Sequence, residues 1–135
     1  MAAVSQHGGT AKRRRHEEDD LQRAVVAFLL VALPENAVVF AVPNGGARGR
    51  AEAARLKGLG VTPGVSDLII IWAGRVIGVE LKAPRGPWRR SQRDWAQEFG
   101  AAGGEYFLAR SVEEVERILR GVGVPLRAKV MAGNA

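Results

Sequence analysis

The stretch that decides the fold is VSDLIIIWAGRVIGVELK, residues 65–82. Residues 68–72 form a continuous apolar run, which is typical of a strand that is buried on both faces. Ala73 and Gly74 are a two-residue turn signal, and residues 75–81 have the character of a returning strand. The stretch therefore predicts an antiparallel β-hairpin.

This hairpin would bring two carboxylates together. With Trp72 facing Arg75 across the turn, counting back along both strands places Asp67 directly opposite Glu80. Directly opposed residues have Cβ atoms about 4.5–5.5 Å apart, and like charges at that separation are destabilising. A bound divalent cation would convert the repulsion into ligation. A one-residue slip of register or a bulge would change the pairing.

A lysine follows the carboxylates on the second strand. Glu80 and Lys82 are two residues apart, so both side chains project from the same face. The backbone carbonyl of Leu81 between them could supply a further oxygen. Oxygen ligands without cysteine or a nearby histidine favour Mg²⁺ or Mn²⁺ over zinc. The alternative is an exposed ion pair on an edge strand, although the apolar neighbours of Glu80 favour a buried strand.

The charge distribution indicates a polyanionic partner. The chain carries 20 Lys and Arg against 14 Asp and Glu, a net charge of +6. Between Glu52 and Asp94 the only acidic residues are Asp67 and Glu80. Nucleic acid is the first candidate partner for such a protein. A metal site in a basic protein suggests hydrolysis of phosphodiesters, in which a lysine would orient water or offset charge on the phosphate.

Length and composition limit the classes of protein. The 135 residues suffice for one domain with a modest core. The chain has no cysteine, which excludes disulfide frameworks, thiolate metal sites and cysteine nucleophiles. No apolar run reaches the roughly 18 residues that a membrane span needs. We therefore expect a soluble, cytoplasmic protein.

The predicted elements follow the order α-β-α-β-β-α-β-α, which indicates an α/β sandwich around a small mixed sheet. Residues 1–15 lack hydrophobic periodicity and are expected to form a flexible basic arm, which is either a solvated tail or a tether to phosphates. Residues 16–122 would form the folded domain and residues 123–135 a tail. Before the hairpin we expect a helix at 17–33, a strand at 37–42 and a basic helix at 47–59. After it we expect a helix, a strand at 106–109 and a last helix. The first of these helices would be capped by Ser91, with Asp94 three residues on, and the last would begin with a capping box of Ser111 and Glu114.

The first helix combines a polar and an apolar stripe. Glu18, Gln22, Val25 and Leu29 share one face at spacings of four, three and four residues. This spacing points Glu18 and Gln22 toward the end of the sheet, where a carboxylate is tolerated if it binds a ligand. The alternative is that the acidic run 17–20 only favours the helix N-terminus through the macrodipole.

These residues resemble a known family. Asp67, followed thirteen residues later by Glu80-Leu81-Lys82, resembles the D-x(n)-E-x-K core of the PD-(D/E)XK nuclease superfamily. Residues 43–86 (PNGGARGRAEAARLKGLGVTPGVSDLIIIWAGRVIGVELKAPRG), followed by SQRDW, resemble more specifically the VRR-NUC group. Glu18-x-x-x-Gln22 fits the E-x-x-x-Q signature of that group. The chain departs from the superfamily pattern in having no proline directly before Asp67.

The resemblance implies a restriction-endonuclease-like fold, with a mixed central sheet flanked by helices, and a metal-dependent, structure-selective DNA endonuclease. The small stand-alone members of the VRR-NUC group, from phage and bacteria, are similar to Holliday-junction resolvases and act as homodimers. By the same resemblance, Glu18, Asp67, Glu80 and the Leu81 carbonyl would hold Mg²⁺ or Mn²⁺, Lys82 would be the catalytic lysine, and Gln22 would support the site.

Residues near the carboxylates are candidates for DNA contacts. Basic residues of the second helix and its preceding turn either contact phosphates or form a solvated face, and Gln92 either approaches the site or only begins a helix. A non-catalytic branched-DNA-binding module and a flap- or sequence-specific nuclease are the alternative functions. The candidates for DNA binding are Asn44, Arg48, Arg50, Arg55, Lys57 and Gln92.

Overall fold

A computed structural model describes the backbone of residues 2–43 and 49–131, with side chains from Thr10 onward. Within these residues, the order of four helices and four strands is the predicted one, and the α/β class is confirmed. No helix in the described part is both long and apolar enough to cross a membrane. The elements are α1 (Ala2–Ala32), β1 (Val38–Ala41), α2 (Arg50–Gly58), β2 (Leu68–Trp72), β3 (Arg75–Leu81), α3 (Arg90–Ala101), β4 (Glu105–Ala109) and α4 (Val112–Gly121).

The strands form one mixed sheet in the order β1-β2-β3-β4. The β1–β2 and β2–β3 pairs are antiparallel, and the β3–β4 pair is parallel. Ala73 (φ 51°) and Gly74 (φ 77°) both have positive φ, as a type I′ hairpin turn requires. Trp72 pairs with Arg75, so the predicted register of the hairpin is confirmed.

Helices cover both faces of the sheet. On one face, Val25 and Leu29 of α1 and Leu119 of α4 pack in one cluster with Ile70 and Ile77, and all five side chains are fully buried. Successive strand residues point to opposite faces, so Gly78 faces away from this cluster. There, a Cβ on Gly78 would lie 3.2 Å from the ring of Phe99, which shows that α3 covers the second face.

The start of the chain differs from the sequence-based expectation. The helix α1 begins at Ala2, so the segment that we expected to be a flexible arm is helical. The segment has no apolar stripe, so hydrophobic periodicity did not predict a helix there. Its Ala, Gln, Lys and Arg residues nevertheless have high helix propensity. The tail also packs on the body, since Val124 is buried and Arg127 Nε donates to the Leu33 carbonyl at 2.7 Å. The domain boundaries at residues 16 and 122 stay predictions.

Two local expectations are wrong. The N-cap of α3 is Arg89 and not Ser91, because Gln92 Oε1 accepts from the Arg89 N–H at 2.9 Å. The strand β2 is not buried along its whole length, since Ile71 is 40% exposed. The cap of α4 is confirmed, because Ser111 Oγ accepts from the backbone N–H three residues on at 3.1 Å.

Candidate active site

A cleft of about 960 Å³ opens where β3 ends and β2 begins. Four segments form its walls: α1, the end of β1, the loop before β2, and the start of α3. The cleft brings together six of the residues predicted from the sequence, namely Glu18, Gln22, Asp67, Glu80, Lys82 and Gln92.

The floor of the cleft is the predicted carboxylate pair. One step beyond the Leu68–Val79 pair, the register places Asp67 opposite Glu80. Asp67 Oδ2 accepts from the Leu81 N–H at 2.7 Å, which fixes its orientation. Glu80 is only 2% exposed. The two carboxylates therefore lie side by side at the edge of the hydrophobic core.

The two oxygens of Glu80 have different surroundings. Gln92 Nε2 donates to Glu80 Oε1 at 2.9 Å, and the other end of the same amide accepts from Arg89. Gln92 therefore both approaches the site and begins a helix. Glu80 Oε2 is buried and has no hydrogen-bond partner among the described residues. A buried carboxylate oxygen without a donor is costly when it is ionised, which favours either a proton on Glu80, shared with Asp67, or a bound cation at this atom.

The pKa values of Asp67 and Glu80 also favour a cation site. Burial, and then the charge of Asp67, raise the pKa of Glu80 to about 8, while Lys82 opposes the shift. Burial also raises the pKa of Asp67, and the hydrogen bond from Leu81 lowers it. Two buried carboxylates that repel each other are typical of functional sites, where a ligand of opposite charge relieves the repulsion.

Lys82 supplies the positive charge nearest to the pair. It is buried at 4% exposure, and its Nζ lies 3.9 Å from Glu80 Oε1. At this distance the ammonium of Lys82 and the carboxylate of Glu80 form an ion pair, but they are too far apart for a good hydrogen bond. The ammonium therefore balances part of the negative charge and still has donors to offer to a ligand in the cleft.

Glu18 and Gln22 reach the cleft from α1, but the three carboxylates do not form one group. Glu18 Oε1 accepts from the Ala83 N–H at 3.4 Å, just beyond Lys82. In the part of the chain that the structure describes, no group of three or more His, Cys, Asp or Glu residues is arranged to hold a metal ion. Glu18 therefore lines the wall, and the Asp67–Glu80 pair forms the floor.

Two features that the sequence analysis missed position the cleft. Gly64 has φ +83°, and a Cβ there would lie 2.2 Å from the Ser91 carbonyl oxygen, so only glycine lets this loop contact α3. Arg110 Nη1 donates to the carbonyls of Ala83 at 2.6 Å and Gly86 at 3.1 Å, which holds the loop after Lys82 in place. No periodicity or motif marks Arg110, since its role depends on tertiary contacts.

The basic residues of α2 lie outside the cleft. Arg50, Arg55 and Lys57 are on a helix without a buried side chain, and none of them lines the cleft. Arg55 instead pairs with Glu52 at 3.0 Å. Asn44 and Arg48 lie outside the described residues. Three other arginines line the cleft: Arg14 and Arg15, from the segment considered as a tether to phosphates, and Arg89, which was not among the candidates for DNA binding.

The architecture is that of a PD-(D/E)XK-like α/β fold, in which a mixed sheet with helices on both faces carries two carboxylates and a lysine at the end of a hairpin. More specifically, it is similar to a solved structure described as a VRR_NUC domain protein. The TM-score is 0.63 at 21% sequence identity, over 77% of this chain and 85% of that chain. The sequence matches no protein-family model and no curated protein. The structural likeness confirms the predicted fold.

Proposed function

We propose that the protein is a metal-dependent endonuclease that hydrolyses phosphodiester bonds in branched DNA, such as Holliday junctions. The observation that carries the proposal is the buried Asp67–Glu80 pair, with one oxygen lacking a donor, beside the ammonium of Lys82. The nuclease-type fold and the net charge of +6 support the same function.

The oxygens at the cleft floor fit a hard divalent cation. Asp67 and Glu80 would hold the ion, and the free Oε2 of Glu80 provides a ligand atom. In an extended strand the N–H and C=O of one residue point to the same side, so the Leu81 carbonyl faces Asp67 as its N–H does. Such an all-oxygen set suits Mg²⁺ or Mn²⁺. Since Mg²⁺ usually keeps several waters, Glu18 would contribute through water.

A cation bound there supplies Lewis-acid polarisation of the phosphate and lowers the pKa of a water. The protein residues would do the rest. Lys82 would orient the attacking water or offset the charge that develops on the phosphate. Gln92 would keep Glu80 Oε1 occupied, so that Oε2 faces the ligand. Gln22 would support the site from the wall of the cleft.

The finer features of the proposal concern the DNA and the assembly. Arg50, Arg55 and Lys57 would contact phosphates away from the cleft. Asn44 and Arg48, which lie outside the described residues, stay predicted DNA contacts. A homodimer would place two cleavage sites in symmetric positions, which suits a four-way junction. A cytoplasmic location would give the enzyme access to DNA in a bacterial or phage-infected cell.

A gel assay on a labelled panel tests the proposal. The panel contains a four-way junction, a splayed arm, a 5′ flap and linear duplex, each with Mg²⁺, with Mn²⁺ and with chelator. Wild type should make paired nicks in the four-way junction only when a metal is present. Asp67→Ala should abolish cleavage while binding survives or tightens, because the change removes negative charge near the DNA backbone.

Two further variants separate chemistry from binding. Lys82→Ala should slow turnover far more than it weakens binding, and Glu113→Gln, on the exposed side of α4, is the matched control and should cut normally. A wild-type protein that cuts no substrate with either metal would refute the nuclease. If it still bound the junction, the non-catalytic DNA-binding module would replace the nuclease as the best account.

A further inference from the structure

The helix α1 carries a basic run directly before the residues that enter the cleft. Lys12, Arg13, Arg14 and Arg15 are consecutive, and all four lie within the helix. Arg14 and Arg15 precede Glu18 by four and three residues, so all three share one face of the helix. Arg14 and Arg15 accordingly line the cleft, whereas Lys12 and Arg13 do not. The helical periodicity thus divides one basic run into a cleft-facing pair and an outward-facing pair.

The cleft-facing arginines are not neutralised. Among the described residues, neither Arg14 nor Arg15 forms an ion pair, although acidic residues follow within a turn. Other surface arginines do pair with an acid one turn away: Arg23 with Asp20, Arg55 with Glu52, Arg90 with Asp94 and Arg120 with Glu116. The charges of Arg14 and Arg15 are therefore available to a ligand.

The start of α3 carries a third arginine of the cleft. Arg89 is the N-cap of α3 and also lines the cleft, and no ion pair involves its side chain within the described residues. The acidic floor of Asp67 and Glu80 would repel a phosphodiester, so positive charge on the walls is needed to bring the backbone close. Guanidinium groups suit this task, because they bind phosphate oxygens in a bidentate manner.

We propose that the N-terminal part of α1 is a phosphate-binding arm, in which Arg14 and Arg15, together with Arg89 at the start of α3, hold the sugar-phosphate backbone in the cleft. The inference rests on the proposed function and adds to it the surface that holds the substrate. It assigns the main phosphate contacts to the cleft walls. It also gives specific residues and a helical geometry to the phosphate tether that was one of the two alternatives for residues 1–15.

Two double variants, each of which removes two positive charges from residues 12–15, test the arm. The test variant is Arg14→Gln with Arg15→Gln, and the matched control is Lys12→Gln with Arg13→Gln, on the outward face. Both remove two charges, and glutamine has a helix propensity close to that of lysine and arginine. Binding of a labelled duplex and a labelled four-way junction is measured by fluorescence anisotropy, from low to high salt and in chelator.

The salt dependence of the affinity is the deciding quantity. Each phosphate contact contributes about 0.9 units to the slope of log K against log salt. The test variant should therefore lose about two units of slope, the control should lose little, and Arg14→Lys with Arg15→Lys should retain the slope. Circular dichroism of each variant checks that α1 is still formed.

Two results would overturn the arm. Equal losses of slope in the test and control variants would mean that only net charge matters, and an unchanged slope in the test variant would mean that the cleft walls do not contact DNA. Binding in chelator is independent of cleavage. A protein that shows the predicted slopes but never cuts DNA would therefore refute the proposed nuclease and leave the arm intact.

Discussion

Glu80→Gln should change how the stability of the metal-free protein depends on pH. In the folded protein, burial and the charge of Asp67 raise the pKa of Glu80 from 4.5 to about 8. Between these two values the folded state holds a proton that the unfolded chain releases. Raising the pH through this range therefore lowers the free energy of unfolding.

The size of the effect follows from the shift. One pKa unit corresponds to about 1.4 kcal/mol, so the wild-type protein should lose on the order of 4 kcal/mol between pH 4.5 and pH 9 through this group. The side chain is almost completely buried, so solvent screens little of the effect. Glutamine keeps the acceptor for Gln92 and has no charge, so the variant should be the more stable protein above pH 8.

Urea denaturation at pH 5, 6, 7, 8 and 9 in chelator measures the effect. The difference in free energy of unfolding between Glu80→Gln and wild type should grow with pH and level off above about pH 8. Glu113→Gln, an exposed change on α4, should follow wild type throughout. If the free energies of unfolding of wild type and Glu80→Gln changed with pH in parallel, the folded state would not destabilise the charged form of Glu80. The site would then have no excess negative charge for a cation to neutralise.

Two further predictions concern the site and the core. Gln92→Ala removes the hydrogen-bond donor to Glu80 Oε1 and should cost about 1–3 kcal/mol in unfolding free energy, because this buried oxygen then keeps only the longer contact with Lys82. A neutral result in urea denaturation would contradict the hydrogen bond. Leu29→Ala should cost about 2–5 kcal/mol, since this side chain is fully buried in the main core. The adjacent Leu30→Ala, at 66% exposure, should stay within about 0.5 kcal/mol of wild type, and similar losses for both would place the core elsewhere.

The hairpin was predictable because local rules determine it. An apolar run, a two-residue turn and a second run specify the strands, and a side-chain period of two then specifies which residues meet. The positions of Asp67, Glu80 and Lys82 followed from that register alone. The stripe from Glu18 to Leu29 was predictable in the same way, because helical spacing places its polar end beyond the packed sheet.

Other parts of the site depend on contacts that no local pattern encodes. Arg110 holds the loop after Lys82 from a different strand end, and Gln92 reaches Glu80 only because Gly64 lets the loop before β2 lie against α3. The helical start of α1 was missed because hydrophobic periodicity detects an apolar stripe packed on a core, and residues 2–15 have no such stripe. The α2 residues Arg50, Arg55 and Lys57 do not line the cleft, and the sequence could not show this because a basic run does not reveal which way its helix faces; their contact with DNA stays a prediction.

The most direct test of the central claim is a calorimetric titration of the protein with Mn²⁺ at pH 7, for wild type and for Asp67→Asn. The account predicts one site per chain in wild type, with release of part of a proton, because the ion displaces the proton that Glu80 retains at that pH. Buffers of different ionisation enthalpy measure the proton. Asp67→Asn should lose most of the affinity. Absence of binding in wild type, or binding that Asp67→Asn leaves unchanged, would contradict the assignment of this carboxylate pair as the metal centre.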